Sequence, residues 1–506
     1  IKQAWKQKRL YKGKKIMHWC SSCETALAKH ELEYETVKEE SIFLKFKVKG
    51  ENNVYLIIWT TTPWTIPFNL AVMVNPELDY VKAKVGDEVW IIAKGLAASV
   101  IGSLANKELV ILEEFKGKDL EGMRYEHPFY EELKEQFNEI ARKSKNLHTV
   151  VLSKEYVTLE AGSGLVHCAP GCGPEDYEVG KKYGLPPFNN IDERGAFFDM
   201  GKFNGLVAKK DDKIFVEELR KKGSLIDVSI VEHEYAHCWR CHNPVVFRAT
   251  EQWFLKIEDL IPKMIELAKD IKFVPKHYKA IFDSWINSLR DNSITRQRFW
   301  GTPVPIWECE KCGKYTVIGS IEELENLAVD KNKIPETMHR PWIDEVEIKC
   351  QCGGKAKRIS DVIDVWIDSG TTSWNCIYFP KRKDLFKAMF PAEFILEATE
   401  QIRLWFSMLH LCSTIAFEKP CYRNVYVHGM ILDYQGMKMS KSLGNIIPPF
   451  EVIEKYGADV LRYYMCQNNA GQEINFNWDE GAVKARNLHI LWNIHKFLID
   501  LAKENE

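Results

Sequence analysis

Four close cysteine pairs constrain this chain more than any other feature. Three have the form Cys-x-x-Cys, namely Cys20/Cys23, Cys238/Cys241 and Cys309/Cys312, and the fourth is Cys350-x-Cys352. Two thiolates presented by one turn grip one ion, and two such turns complete the tetrahedron that Zn2+ prefers. Cys309/Cys312 in WECEKCGKY and Cys350/Cys352 in KCQCGG suit a single zinc ribbon, with glycines after each pair to turn the knuckle. Cys20/Cys23 and Cys238/Cys241 flank residues 24–237, a stretch of 214 residues. If these pairs share a second ion, that stretch is an insertion with its ends pinned together. Separate reduced thiols or a redox Cys-x-x-Cys are the other readings of the same spacing. Cys376, Cys412, Cys421 and Cys466 sit among apolar residues and read as buried packing thiols.

The remaining composition is that of a globular protein. The 506 residues are 45% hydrophobic and 28% charged, enough for a large core and about three or four domains. Lys and Arg number 69 against 71 Asp and Glu, a formal charge of −2. A nucleic-acid partner must therefore be met by local patches. No run of 18 apolar residues occurs, so no spanning helix and no membrane partner are expected. The opening IKQAWKQKRLYKGKK has no signal-peptide apolar region, and disulfides are not expected without secretion. Its Lys6, Lys8, Arg9, Lys12, Lys14 and Lys15 read as a solvated helix face or as a contact for RNA phosphates. Residue 1 is Ile, which reads as a piece of a longer protein.

Hydrophobic periodicity sketches the organisation. Residues 41–46 alternate and 54–59 (VYLIIW) form a short apolar run, both strand patterns. Further short strands are predicted at 88–93 and 109–112. Pro174-Glu175-Asp176 opens a helix that Gly184 closes, with acids at its positive end. Asp211 and Asp212 open another, closed near Gly223. After residue 233, apolar strands at 393–396 and 425–428 flank a periodic helix through Trp405, Leu409 and Ile415, the signature of a parallel α/β domain. From Gly481 the chain reads as helix, the start of a helical domain.

Lys438-Met439-Ser440-Lys441-Ser442-Leu443-Gly444-Asn445 is the most informative stretch. Two mobile lysine charges three apart suit a triphosphate whose charge redistributes during reaction, and composition alone fits a solvated loop as well. The string resembles the KMSKS loop of class I aminoacyl-tRNA synthetases, and Val427-His428-Gly429-Met430 resembles the strand leading to it. Within the class, residues 249–254 (ATEQWF), 296–303 (RQRFWGTP) and 364–370 (DVWIDSG), with the two cysteine sets and residues 487–498 (NLHILWNIHKFL), resemble the archaeal and eukaryotic-type isoleucyl enzymes. Landmarks run from about residue 10 to about residue 500.

The resemblance implies an α/β fold: a class I Rossmann-type catalytic domain, incomplete at its N-terminus, with a large β-rich inserted editing domain, zinc knuckles and the start of a C-terminal helical domain. It implies boundaries at 1–44 for catalytic sequence with the first knuckle, 45–232 for the editing insertion, 233–304 for the return, 305–358 for the zinc ribbon, 359–466 for the catalytic half with the lysine loop, and 467–506 for the helical domain. Lys438, Ser440 and Lys441 would be catalytic. Glu397, Glu400, Gln401, His428, Gly429 and Lys441 would bind ATP or the adenylate, and Trp366 and Trp405 would wall the amino-acid pocket, although either indole alone is more often ordinary core. Glu400 stands where the family has Asp, and Ala398 and Leu404 where it has glycine, so side chains occupy space that backbone normally opens.

A second site is predicted from Thr60-Thr61-Thr62-Pro63-Trp64-Thr65, Asn69, residues 162–167 (GSGLVH) and Asp176. Hydroxyls suit a terminal ribose, a carboxylate suits an ammonium, and His can position water. Each alone is weak, since a Thr run is usually a strand and a lone His usually structural. Together they resemble the editing site of isoleucyl, valyl and leucyl enzymes, with Thr60, Thr61 and Thr62 along the tRNA 3′ end, His167 and Asn69 at the substrate and Asp176 on its ammonium.

The implied activity is ATP-dependent charging of tRNA(Ile) with isoleucine, plus hydrolysis of Val-tRNA(Ile). Partners are tRNA(Ile), ATP and isoleucine. Cofactors are two Zn2+, on Cys20, Cys23, Cys238, Cys241 and on Cys309, Cys312, Cys350, Cys352, and Mg2+ with ATP. A cytoplasmic monomer is expected. The alternatives are a valyl enzyme, or a non-catalytic zinc-containing tRNA-binding fragment. The family's His-x-Gly-His string does not occur in the sequence. It lies upstream of the first knuckle in relatives, so this stretch is expected to be a piece that activates amino acid poorly by itself.

Overall fold

The computed structural model describes residues 1–28, 31–439, 444–467 and 469–504. The chain divides into two units, each with its own hydrophobic core. One comprises Ile1–Tyr11, Trp253–Thr295 and Phe299–Glu506, and the other Lys12–Gln252 with Arg296–Arg298.

The Lys12–Gln252 unit is built on a nine-stranded mixed sheet. The apolar run at 54–59 becomes the strand Val54–Thr60. Leu56, Ile57 and Ile58 are all fully buried. Successive side chains point to opposite faces, so both faces are covered there, which explains a run without alternation. This strand pairs antiparallel with Leu32–Lys47 and parallel with Glu88–Ala93 and Leu165–Cys168. Leu165–Cys168 pairs antiparallel with Ala71–Val74, which pairs parallel with Thr149–Leu152. The strand predicted at 109–112 starts later, as Ile111–Lys116. It pairs with Asp79–Val85 and is exposed along most of its length, with the charges that protect a sheet edge.

Leu32–Lys47 and Leu225–Cys238 form a long antiparallel ribbon, from Leu32 opposite Cys238 to Leu44 opposite Leu225. The ribbon brings together the two ends of the long stretch between the outer cysteine pairs. The predicted boundary at 232/233 falls inside this ladder, and that at 44/45 falls at its end. The compact unit that contains this ladder runs from Lys12 to Gln252, with Arg296–Arg298.

The other unit contains a parallel sheet in which Tyr422–His428 lies between Lys272–Val274 and Ala392–Ala398. The connection from Ala392–Ala398 to Tyr422–His428 carries the helix Trp405–Phe417, whose Phe406, Leu409 and Leu411 are buried. Ile306–Cys309, Tyr315–Val317, Ile348–Lys349 and Lys355–Arg358 make a small antiparallel sheet around the second cysteine set. The C-terminal helix begins at Trp478, three residues before the predicted Gly481, with Asp479 and Glu480 in its first turn. Among the described residues no helix is long and apolar enough to cross a membrane.

Two local expectations are corrected. Cys412 and Cys421 are buried, but Cys376 and Cys466 are exposed, because each falls at the end of a helix rather than on its inward face. Lys12, Lys14 and Lys15 lie on the strand Leu10–Cys20 and not on a helix.

Candidate functional site

In the Lys12–Gln252 unit, Thr60, Thr61, Thr62, His167 and Asp176 line one cleft of about 370 Å³, with Thr158, Glu160 and the 162–166 backbone. Local structure explains the convergence. Val54–Thr60 and Leu165–Cys168 are neighbouring parallel strands, so the threonine run and His167 lie in adjacent rows. Asp176 enters from the first turn of the helix Pro174–Tyr183, which Gly184 ends in the left-handed region as predicted. Gly164 is required where it stands: φ is +75°, and a Cβ would fall 2.2 Å from that of Ala93.

A continuous set of hydrogen bonds runs along this cleft. Thr60 Oγ1 and Thr62 Oγ1 are 3.2 Å apart, Thr62 Oγ1 and Thr65 Oγ1 3.3 Å, and Thr65 Oγ1 and His167 Nε2 2.9 Å. His167 Nδ1 faces Asn69 Nδ2 at 3.4 Å. Burial lowers the imidazole pKa to about 4, so His167 is neutral at pH 7. Burial raises the Asp176 carboxyl to about 7, although its Oδ2 accepts a 2.8 Å bond from the Ala169 N–H. Asn69 is fully buried and meets the cleft only through His167. Thr65 has no separate role in the sequence reading, yet it joins the hydroxyls to the histidine. Its spacing of three from Thr62 was the available signal, since such residues eclipse in a 3-10 turn, and both belong to the turn around Pro63–Phe68.

In the other unit, predicted nucleotide-binding residues collect at the carboxyl ends of the parallel strands, where α/β sheets bind ligands. Ala398 pairs with His428, so exposed Glu397, half-buried His428 and Gly429 lie at one sheet end. A Cβ on Gly429 would stand 2.1 Å from the Gln472 carbonyl oxygen. Gln401 Oε1 accepts from the Trp405 N–H at 3.2 Å, which ties that side chain to the helix start. The Trp405 indole N–H donates to the Ser369 carbonyl at 3.0 Å. This bond holds the short helix Val365–Ser369, and Trp366 on it, beside Trp405. Both indoles are half-buried, and Glu400 is exposed.

The lysine loop is closed at its base. Lys438 is exposed and bridges to Leu432. Asn445 Nδ2 donates to Asp433 Oδ2 at 2.8 Å and to the Lys438 carbonyl at 3.2 Å. Ser440 and Lys441 lie outside the described residues.

The cysteines form two sets, Cys20, Cys23, Cys238, Cys241 and Cys309, Cys312, Cys350, Cys352. In each, the four sulfurs lie within 4.8 Å of one another. Cys20 and Cys241 approach to 3.4 Å, Cys309 and Cys352 to 3.5 Å, and Cys312 and Cys350 to 3.7 Å. Either set is dimensioned to hold one metal ion.

The family model of tRNA synthetases class I (I, L, M and V) matches residues 1–477. Isoleucine–tRNA ligase of Pyrococcus furiosus is 44% identical over 525 residues, covering 98% of this chain and 49% of the relative. The corresponding ligases of Methanocaldococcus jannaschii and Methanothermobacter marburgensis are 43% and 42% identical, over 99% and 98% of this chain and 48% and 47% of theirs. The chain thus spans about half the length of the curated relatives it matches. Among solved structures, the Agrobacterium radiobacter K84 LeuRS in its complex with tRNA and LeuAMS is 17% identical over 98% of this chain and 59% of its own, at a TM-score of 0.39, too distant to add to the assignment. On the family match over residues 1–477, the chain belongs to the class I tRNA synthetases of the I, L, M and V group.

Proposed function

We propose that this chain carries the lysine-loop part of the synthetic centre and the proofreading centre of an isoleucine–tRNA ligase, the His-x-Gly-His part of the synthetic centre not being among its residues. The identity to isoleucine ligases across nearly the whole chain carries this reading and favours isoleucine over valine. In the synthetic centre, isoleucine and ATP, which brings Mg2+, occupy the strand ends. Glu397, Glu400, Gln401, His428 and Gly429 hold the adenylate, and Trp366 and Trp405 wall the aliphatic pocket. Lys438, Ser440 and Lys441 neutralise the phosphates. The isoleucine carboxylate attacks the α-phosphorus and pyrophosphate leaves. A ribose hydroxyl of tRNA(Ile) then takes the acyl group and AMP leaves.

The cleft in the Lys12–Gln252 unit answers a question of magnitude. Isoleucine and valine differ by one methylene, worth about 1–3 kcal/mol, or roughly 10–200-fold. A second, hydrolytic site supplies a further selection. Ionised Asp176 anchors the ammonium of misplaced valine, and the hydroxyls of Thr60, Thr61 and Thr62 hold the terminal ribose. Water attacks the ester carbonyl, and the ribose oxygen departs with a proton. Zn2+ suits both cysteine sets, since thiolates at about 2.3 Å from the ion stand roughly 3.8 Å apart. It would serve as a structural tie, on one set closing the base of the ribbon and on the other the small sheet.

ATP–pyrophosphate exchange by the protein at its natural length, with Ile, Val and Leu compared, tests the first centre. Exchange led by isoleucine is expected, and exchange led by valine or leucine overturns the assignment. Asp176→Ala should abolish hydrolysis of Val-tRNA(Ile), and an unchanged rate refutes the proofreading role.

A further inference from the structure

Behind the hydrolytic cleft, the hydrogen bonds of His167 continue into the interior. The Tyr125 hydroxyl, on a residue only 3% exposed, donates to Asn69 Oδ1. Asn69 Nδ2 donates to the Ala71 carbonyl at 2.8 Å and faces His167 Nδ1 at 3.4 Å. On the cleft side, Thr65 Oγ1 lies 2.7 Å from the Thr62 carbonyl.

Two carbonyls, which can only accept, set the direction of every bond between them. Ala71 O requires the amide nitrogen of Asn69 on its side, and that leaves Oδ1 for the Tyr125 O–H. The second Nδ2 hydrogen then points at His167 Nδ1, which must be the acceptor, so the imidazole proton sits on Nε2. At the other end, Thr62 O takes the Thr65 hydroxyl proton. Thr65 Oγ1 is thereby free to accept from His167 Nε2–H, and both directions agree at the histidine. Thr65 Oγ1 also accepts from Thr62, which accepts in turn from Thr60. His167 has no lone pair left for a water proton. Its work is to hold the threonine hydroxyls in one rotamer.

We propose that Tyr125 is a positioning residue for the hydrolytic cleft: through Asn69 it keeps His167 as the Nε2–H tautomer, and His167 orients the Thr65–Thr62–Thr60 hydroxyls and does not act as the base. This rests on the proofreading reading of the same cleft. The neighbouring rings fit a neutral histidine relay. His127 stacks on His148 at 5.0 Å between centroids, and both are buried and held neutral by that burial.

The test combines spectroscopy with kinetics. In 15N-histidine-labelled protein, the His167 signal, identified by its loss in His167→Gln, should show protonated Nε2 and unprotonated Nδ1. A Nδ1–H tautomer or an imidazolium at neutral pH overturns the proposal. Tyr125→Phe should lower kcat for Val-tRNA(Ile) hydrolysis about tenfold, the equivalent of one neutral hydrogen bond, leave KM within about twofold, and turn the Nε2–H signal into a mixture. An unchanged kcat with an unchanged His167 signal overturns it. Asn69→Asp, which offers an acceptor to Nδ1, should move the proton there and lower kcat further, and retention of the Nε2–H form would refute the relay. If the unaltered protein hydrolyses no Val-tRNA(Ile), the proofreading reading fails by itself, and the spectra still decide whether the relay exists.

Discussion

A single carboxyl illustrates how burial tunes the cleft. Asp176 is held up to about 7, chiefly by desolvation, with Glu175 adding to the rise and the Ala169 N–H opposing it. In the proposed anchoring role the carboxyl must be ionised, so hydrolysis of Val-tRNA(Ile) should climb as pH rises through about 7 and level off above about 8. The stability effect has the opposite sign. The folded state holds this proton more tightly than the unfolded chain, whose Asp titrates near 3.9. The contribution is therefore full below about pH 4 and is lost as pH climbs through about 7. Asp176→Asn should flatten both profiles, as read by initial rates and by thermal unfolding from pH 5 to 8. An unaltered rate profile in the variant would place the titrating group elsewhere. The sequence marked Asp176 by its place in a helix's first turn, but its altered acidity comes from the strands and loops packed over it.

At the scale of elements, the sheet unit depends on close approaches that no side chain can enter. The turn at Gly162–Gly164 feeds the strand carrying His167. It is tied down by the Ser163 hydroxyl, which donates to the Ile57 carbonyl at 2.6 Å, and by the Tyr80 hydroxyl, which donates to the Gly164 carbonyl at 2.8 Å. Gly164→Ala meets both a positive φ and the Ala93 methyl. A loss of about 2–4 kcal/mol is expected, measured as a shift in the denaturation midpoint, with hydrolysis impaired because the strand is displaced. Gly162→Ala has the positive φ but only the face of Trp59 at 3.1 Å, so a smaller loss should follow. Equal losses at the two positions would remove the explanation by steric contact with Ala93.

For the whole molecule, among the described residues, the two largest cores and the two cysteine sets divide evenly between the two units. Folding of such a chain is not a single two-state event, and metal binding adds to the stability of whichever unit holds it. With zinc on both sets as proposed, Cys238→Ser should lower the bound metal from about two ions to about one per chain and weaken the calorimetric transition of the Lys12–Gln252 unit alone. Cys312→Ser should do the same to the other transition. Loss of both transitions from either variant would mean that the two units do not unfold independently.

Several features could be read without coordinates because they are local. Val54–Thr60, Glu88–Ala93 and the helix Pro174–Tyr183 follow from short-range periodicity, a proline start and a glycine stop, which depend on backbone sterics within a few residues. The cysteine spacing and the lysine octapeptide are likewise written in neighbouring positions. Tertiary structure alone decided which distant residues meet. Asn69 lies 56 positions from Tyr125 and 98 from His167, and no periodicity links them. Their meeting depends on sheet order and register, which are set by the packing of the whole unit. The ribbon pairing Leu32–Leu44 with Leu225–Cys238 is the same case on a larger scale: alternation was legible only at 41–46, and the partner strand was chosen by the burial that only the assembled sheet provides.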